Sequence, residues 1–153
     1  ELGPGDKVTL DGPYGRFSYK IIGPDRDYLM IAGGVGITPL LSCLRDMAAS
    51  GFDKKVILIW ANKKQRDIFF EEQLKQIAEK IDLTVHHVLN DQQDWTGYKG
   101  FVTADIIKET ASEIIDRAEV MLCGPPKMMD MVTGELVRAG FKKSAIHTER
   151  FML

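Results

Sequence analysis

A chain of 153 residues with 14 Gly, 44% hydrophobic and 27% charged residues has the size and composition of one soluble globular domain with a full core. Its 20 Lys and Arg stand against 22 Asp and Glu, a formal charge of −2, which argues against an electrostatic grip on nucleic acid but leaves room for a local anion site. Cys43 and Cys123, far apart and in no metal or redox spacing, argue against a disulfide framework and for a reducing, cytoplasmic setting, and no apolar run approaches the roughly 18 residues of a bilayer span.

Glu1 to Asp6 shows no initiator Met, basic leader or transit pattern, so the chain reads as a piece of a longer one. Residues 5–19 alternate apolar and polar through Lys7-Val8-Thr9-Leu10, turn at Asp11-Gly12-Pro13-Tyr14-Gly15 and resume with Phe17 and Tyr19, which predicts a β-hairpin. Gly23-Pro24-Asp25 ends that pattern and places a domain boundary between Ile22 and Asp27, giving units 1–26 and 27–153. Short apolar runs then predict strands over 28–32, 55–61, 83–89, 118–123 and 145–148, and longer periodicities predict helices over 38–49, 68–80, from about 103, and over 126–139. Five strands with intervening helices predict a doubly wound parallel α/β sheet, in the order 3-2-1-4-5.

Thr38 is expected to cap the first of these helices with Pro39 in its first turn, and Asp67 the second, while Gly51 and Gly140 stand where left-handed residues end helices. Met128, Met129, Val132, Leu136 and Val137 fall on one helical face and are expected to pack in the core. His86 and His87 are neighbours on a strand and face opposite ways, and His147 is distant, so no metal site is expected.

Gly33-Gly34-Val35-Gly36-Ile37-Thr38-Pro39 carries the strongest functional signal, because it joins a predicted strand to a predicted helix. Glycines there let backbone approach a bulky anion, and the helix N-terminus offers free N–H groups, so a pyrophosphate is the natural ligand. The spacing is neither G-x-G-x-x-G, since Pro39 stands where the last glycine belongs, nor a triphosphate loop, which needs Gly-Lys-Ser/Thr. Cys123-Gly124-Pro125-Pro126 falls at the carboxyl end of a strand, where open α/β sheets bind ligands. There Gly124 would admit a flat ring and the prolines would stiffen the turn. The second predicted strand ends at Ala61-Asn62 without the acid that commonly holds a ribose. Lys63, Lys64 and Arg66 follow, welcoming to a phosphate, and then Asp67. Trp95-Thr96-Gly97-Tyr98-Lys99-Gly100-Phe101 is a polar loop with an aromatic anchor.

Taken in order, Gly12-Pro13-Tyr14-Gly15, the turn from Gly33 to Pro39, Cys123-Gly124-Pro125-Pro126 and Glu149-Arg150-Phe151 resemble the nucleotide-binding half of the ferredoxin-NADP reductase family. The likeness is to its NADH-cytochrome reductase and oxygenase-reductase members. It implies a module that passes hydride from NADH, slightly favoured over NADPH, to FAD or FMN held mainly by an upstream domain. The onward acceptor would be an iron-sulfur or haem protein. Residues 1–26 would then be the last hairpin of the flavin-binding barrel, whose Arg-x-Tyr-Ser/Thr signature does not occur in this sequence. The resemblance also implies that Cys123 packs beside the nicotinamide, that Asp67 faces the adenine ribose beside Asn62 and Lys63, and that Phe151 contacts the flavin edge. A direct nicotinamide dehydrogenase, or a domain that senses NAD(H) without catalysis, are the alternative readings.

Overall fold

In the computed structural model, residues 3–9, 11 and 15–150 are described. A short helix α1 (Tyr19–Ile22) precedes β1 (Asp27–Gly33), α2 (Ile37–Ser50), β2 (Val56–Asn62), α3 (Glu71–Ala78), β3 (Leu83–Leu89) and β4 (Tyr98–Lys99). The chain continues through α4 (Ala104–Ala111), β5 (Ala118–Cys123), α5 (Pro126–Ala139) and β6 (Ile146–Glu149). The strands form one parallel sheet in the order β4-β3-β2-β1-β5-β6.

All seven residues of β1 are buried, which explains its nearly continuous apolar run: a central parallel strand covered on both faces has no polar side to show. Its residues nevertheless divide by twos. Tyr28, Met30 and Ala32 join Leu40, Leu44 and Trp60 on one face, while Leu29 and Ile31 join Ile59, Ile107 and Leu136 on the other. Asp27, the buried acid at its start, accepts the Lys55 N–H at 2.9 Å and pairs with Arg117.

The sheet has six strands where five are predicted. The extra one, β4, is two residues long and pairs Val88 with Tyr98 at the edge, too short to leave any periodicity; without it the strand order is the predicted one. Helix α2 starts one residue earlier than predicted, with Gly36 at the cap position. Thr38 lies inside it and donates its hydroxyl to the Val35 carbonyl at 3.0 Å instead of capping. Asp67 does not cap α3 either. It accepts the Lys64 N–H at 3.1 Å and closes a 3-10 turn over Gln65–Asp67, and α3 begins only after Phe70, whose φ of 62° is left-handed. Gly51 and Gly140 do terminate α2 and α5 in the left-handed region, at φ 69° and 117°. On α5, Met129, Val132 and Leu136 enter the core, but Val137 is exposed.

The hairpin is not seen. The described residues before Tyr19 form no strand, its turn at Gly12-Pro13-Tyr14 lies outside the described residues, and Tyr19 sits in a helical turn docked on the sheet. Alternation of apolar residues is a weak strand signal without a partner strand to pair with. The Tyr19 hydroxyl donates to Asp46 at 2.7 Å, its ring meets Phe52 edge-on at 5.5 Å, and the Tyr28 hydroxyl donates to the Gly23 carbonyl at 2.8 Å and the Tyr19 carbonyl at 3.1 Å. Tyr28→Phe takes this donor from both carbonyls, which keep the Gly23 and Arg26 N–H groups, and is expected to cost about 0.5–1.5 kcal/mol, read from urea unfolding midpoints at constant slope.

Candidate functional site

The carboxyl ends of β1, β2 and β5 open onto a cleft of about 770 Å³. The β1–α2 turn contributes Gly33, Gly34, Val35, Ile37 and Thr38 to its wall, the end of β2 contributes Trp60, Ala61, Asn62 and Lys63, and the loop beyond contributes Asp67, Phe69 and Phe70. Asn90, Gly100, Phe101 and Val102 face these from the β3–α4 region, and Pro125, Lys127, Met128, Met131 and Val132 close the α5 side. Three phenylalanines stay open to solvent at this wall, Phe69 at 62%, Phe70 at 43% and Phe101 at 61%, which singly would be unremarkable but together make a patch suited to a flat ring.

The glycines divide into two kinds. Gly34 has φ 52° and open space where a Cβ would project, the behaviour expected of a turn that presents backbone to a ligand. A Cβ on Gly36 would instead strike the Cys123 carbonyl and lie 2.9 Å from the Gly124 nitrogen. One on Gly124 would come within 3.1 Å of Gly33 Cα, and one on Gly33 would press on Met128 and Pro125. Gly33, Gly36 and Gly124 therefore let the β1–α2 and β5–α5 turns interlock. Gly124 is expected to admit a flat ring, and its missing side chain also makes room for Gly33 and Met128.

The β2–α3 loop is clasped to the loop after β3. Asn90 N–H donates to the Asn62 carbonyl at 3.2 Å, Asp91 N–H to the Lys63 carbonyl at 2.9 Å, and Gln65 N–H to the Gln92 side chain at 2.7 Å. Lys64 is drawn aside by Asp91 at 3.4 Å, so Lys63 and Lys127 are the cations in the cleft wall, with Asp67 as its carboxylate. Asn62 is buried, and its amide nitrogen has no hydrogen-bond partner among the described residues.

Residues 30–134 match the family model described as the oxidoreductase NAD-binding domain. The chain belongs to this family. Over 137 residues it is 38% identical to NADH-cytochrome b5 reductase 2 of Mycosarcoma maydis, covering 86% of this chain and 39% of that protein. Over 152 residues it is 36% identical to NADH-cytochrome b5 reductase 1 of Dictyostelium discoideum, covering 94% of this chain and 51% of that protein. The chain thus spans about half or less of the length of these relatives. The fold recurs in the flavohemoglobin of Malassezia yamatoensis, determined with bound FAD and heme, at a TM-score of 0.81 and 24% identity over 99% of this chain and 42% of that one.

In this NAD-binding domain, the expected site residues Gly33, Gly34, Val35, Ile37, Thr38, Asn62, Lys63, Asp67 and Pro125 line the cleft. Gly36, Pro39, Cys123, Gly124 and Pro126 do not; Pro39 and Pro126 stand in the first turns of α2 and α5. Phe151 lies outside the described residues. Phe69, Phe70, Met131 and Lys127 are cleft residues that motif reading missed. Two adjacent aromatics after a polar loop were the only signal, and it reads equally as the start of an amphipathic helix.

Cys123 is fully buried at the end of β5, between Ala32 and Glu149 in register. Burial first, and then the negative Glu149, push its thiol up to about 11, so it is neutral at pH 7 and no nucleophile. Cys43 is buried as well, and its thiol is raised by burial. Both thiols are expected to react with an aromatic disulfide reagent at least about a hundredfold more slowly in the native domain than after unfolding in urea, measured by thiolate release.

Burial holds both His86 and His87 below the ordinary histidine range. The unfolded chain therefore takes up protons first as pH falls through about 6.5, and stability drops from there until the folded-state values are passed. The melting temperature is expected to decline between pH 7 and 5, and to decline less in the double variant His86→Gln, His87→Gln. Among the described residues, no three His, Cys, Asp or Glu side chains converge on one point, and no helix is long and apolar enough to cross a membrane.

Proposed function

We propose that this domain binds NADH in the cleft and presents it to a flavin held by an adjoining domain. The observation that carries the reading is the Gly34 turn and the N-terminus of α2 sharing one cleft wall with the Asp67 carboxylate. The N–H groups of Gly34 and Val35, at the start of this turn, have no earlier helical acceptors and meet the positive end of the helix dipole, so they suit the pyrophosphate. Phe69, Phe70 and Phe101 supply faces for the adenine ring. Asp67 accepts from the adenosine ribose and repels a 2′-phosphate, which favours NADH over NADPH against the pull of Lys63. The nicotinamide end then runs toward the β5–α5 turn.

When bound, the dinucleotide supplies a hydride, which a flavin accepts for onward electron transfer to a haem or iron-sulfur acceptor. What this chain does is hold, orient and screen: no side chain of the cleft is required as an acid or base. Residues 1–26 are proposed as the junction with the flavin domain, and the two buried free thiols fit a reducing compartment such as the cytoplasm.

Calorimetric titration with NADH, ADP-ribose and NADPH tests this reading. NADH and ADP-ribose are expected to bind, and NADPH about tenfold more weakly or worse, a difference of about 1.4 kcal/mol. Absence of binding by all three would overturn the proposal.

A further inference from the structure

Trp60 is buried within β2, yet its indole reaches the cleft and donates its N–H to the Gly34 carbonyl at 3.0 Å. Ala32, directly beside it on β1, takes little space, so the large ring can lean across the sheet toward the turn. The Gly34 carbonyl also accepts the Ile37 N–H. In a planar trans peptide the carbonyl and the following N–H point opposite ways. Two donors on the Gly34 oxygen therefore fix the Val35 N–H on the other side of that peptide, at an exposed residue whose place in the first turn leaves it no helical acceptor. Gly34 sits at φ 52°, where a glycine peptide is otherwise free to turn over.

The indole is itself held. His87 packs against it with ring centroids 5.7 Å apart, and Trp95 meets His87 edge-on at 6.5 Å, a column of three rings running from the glycine turn to the loop after β3. An aromatic ring at this position is sufficient for packing; the N–H is an additional feature with a specific acceptor.

We propose that Trp60 is a positioning residue for the anion-binding turn, its indole N–H setting the Gly34–Val35 peptide so that the Val35 N–H faces the pyrophosphate. This rests on the NADH reading above. It predicts that losing the indole N–H weakens ligands through their phosphates and leaves recognition of the nucleoside alone.

Trp60→Phe keeps an aromatic ring and removes the donor. In this chain it is expected to bind ADP-ribose about fivefold more weakly, the worth of one hydrogen bond, while adenosine binds as in the parent. ADP-ribose affinity within twofold of the parent, or an equal loss for adenosine, would overturn the positioning role. Failure of the unsubstituted chain to bind ADP-ribose would overturn the NADH reading and this inference with it, a result distinct from either. A measurement on the unsubstituted chain does not depend on the variant folding. The Trp60 indole proton should exchange slowly with solvent, and the Val35 amide resonance should be among those most shifted by ADP-ribose. Rapid exchange of that indole proton, or an unmoved Val35 amide, would refute the proposal.

Discussion

Gly36→Ala is expected to lower the unfolding free energy by about 3 kcal/mol, at the upper end for overpacking, because what the new methyl meets is backbone and not a side chain that can rotate away. For a domain of this size that is a fall of roughly 6–12 °C in melting temperature. Two other glycines supply the contrast. Gly34→Ala meets no atom within 4 Å and bears only the cost of a left-handed residue, about 1–2 kcal/mol. Gly134, inside α5 with open space around it, should gain about 0.5–1 kcal/mol as alanine. The ordering Gly36 below Gly34 below Gly134 follows from what surrounds each position. Thermal unfolding of the three variants checks it; equal losses at Gly36 and Gly34 would mean that the two turns are not interlocked.

Asp67→Asn is expected to shift the ratio of NADH to NADPH affinity toward NADPH by about tenfold or more. Opposed charges or like charges a few ångström apart near a protein surface are worth up to about 4 kcal/mol, so a tenfold change, about 1.4 kcal/mol, is a modest demand. The substitution isolates charge, because the asparagine side-chain oxygen still accepts the Lys64 N–H that closes the 3-10 turn. With the carboxylate gone, Lys63 remains in the cleft wall to attract a 2′-phosphate. Paired titrations with the two dinucleotides read the ratio directly. An unmoved ratio would place the ribose elsewhere in the cleft.

Much of the architecture was legible because the central strands are apolar runs bounded by turn residues. Strands 83–89 and 118–123 and helix 126–139 match their predicted limits. What escaped has physical causes. A two-residue edge strand such as Tyr98–Lys99 has no period to detect, and the late start of α3 depends on the left-handed Phe70, which no propensity favours. The glycine turn could be located but not apportioned: a missing side chain looks the same whether the space stays open, as at Gly34, or is filled by a neighbouring turn, as at Gly36. Cys123 was placed correctly at a strand end, but its depth depends on the register with Ala32 and Glu149, which is a property of the assembled sheet.

The tyrosine pair at the start of the sheet bears on how load enters the domain. Tyr19 and Tyr28 fasten the incoming chain at the amino end of β1, whereas the cleft opens at the carboxyl ends of the strands. The contacts that hold the incoming chain therefore stand at the opposite end of the strand from those that shape the cleft, and strain taken up at Tyr19 and Tyr28 is borne apart from its walls.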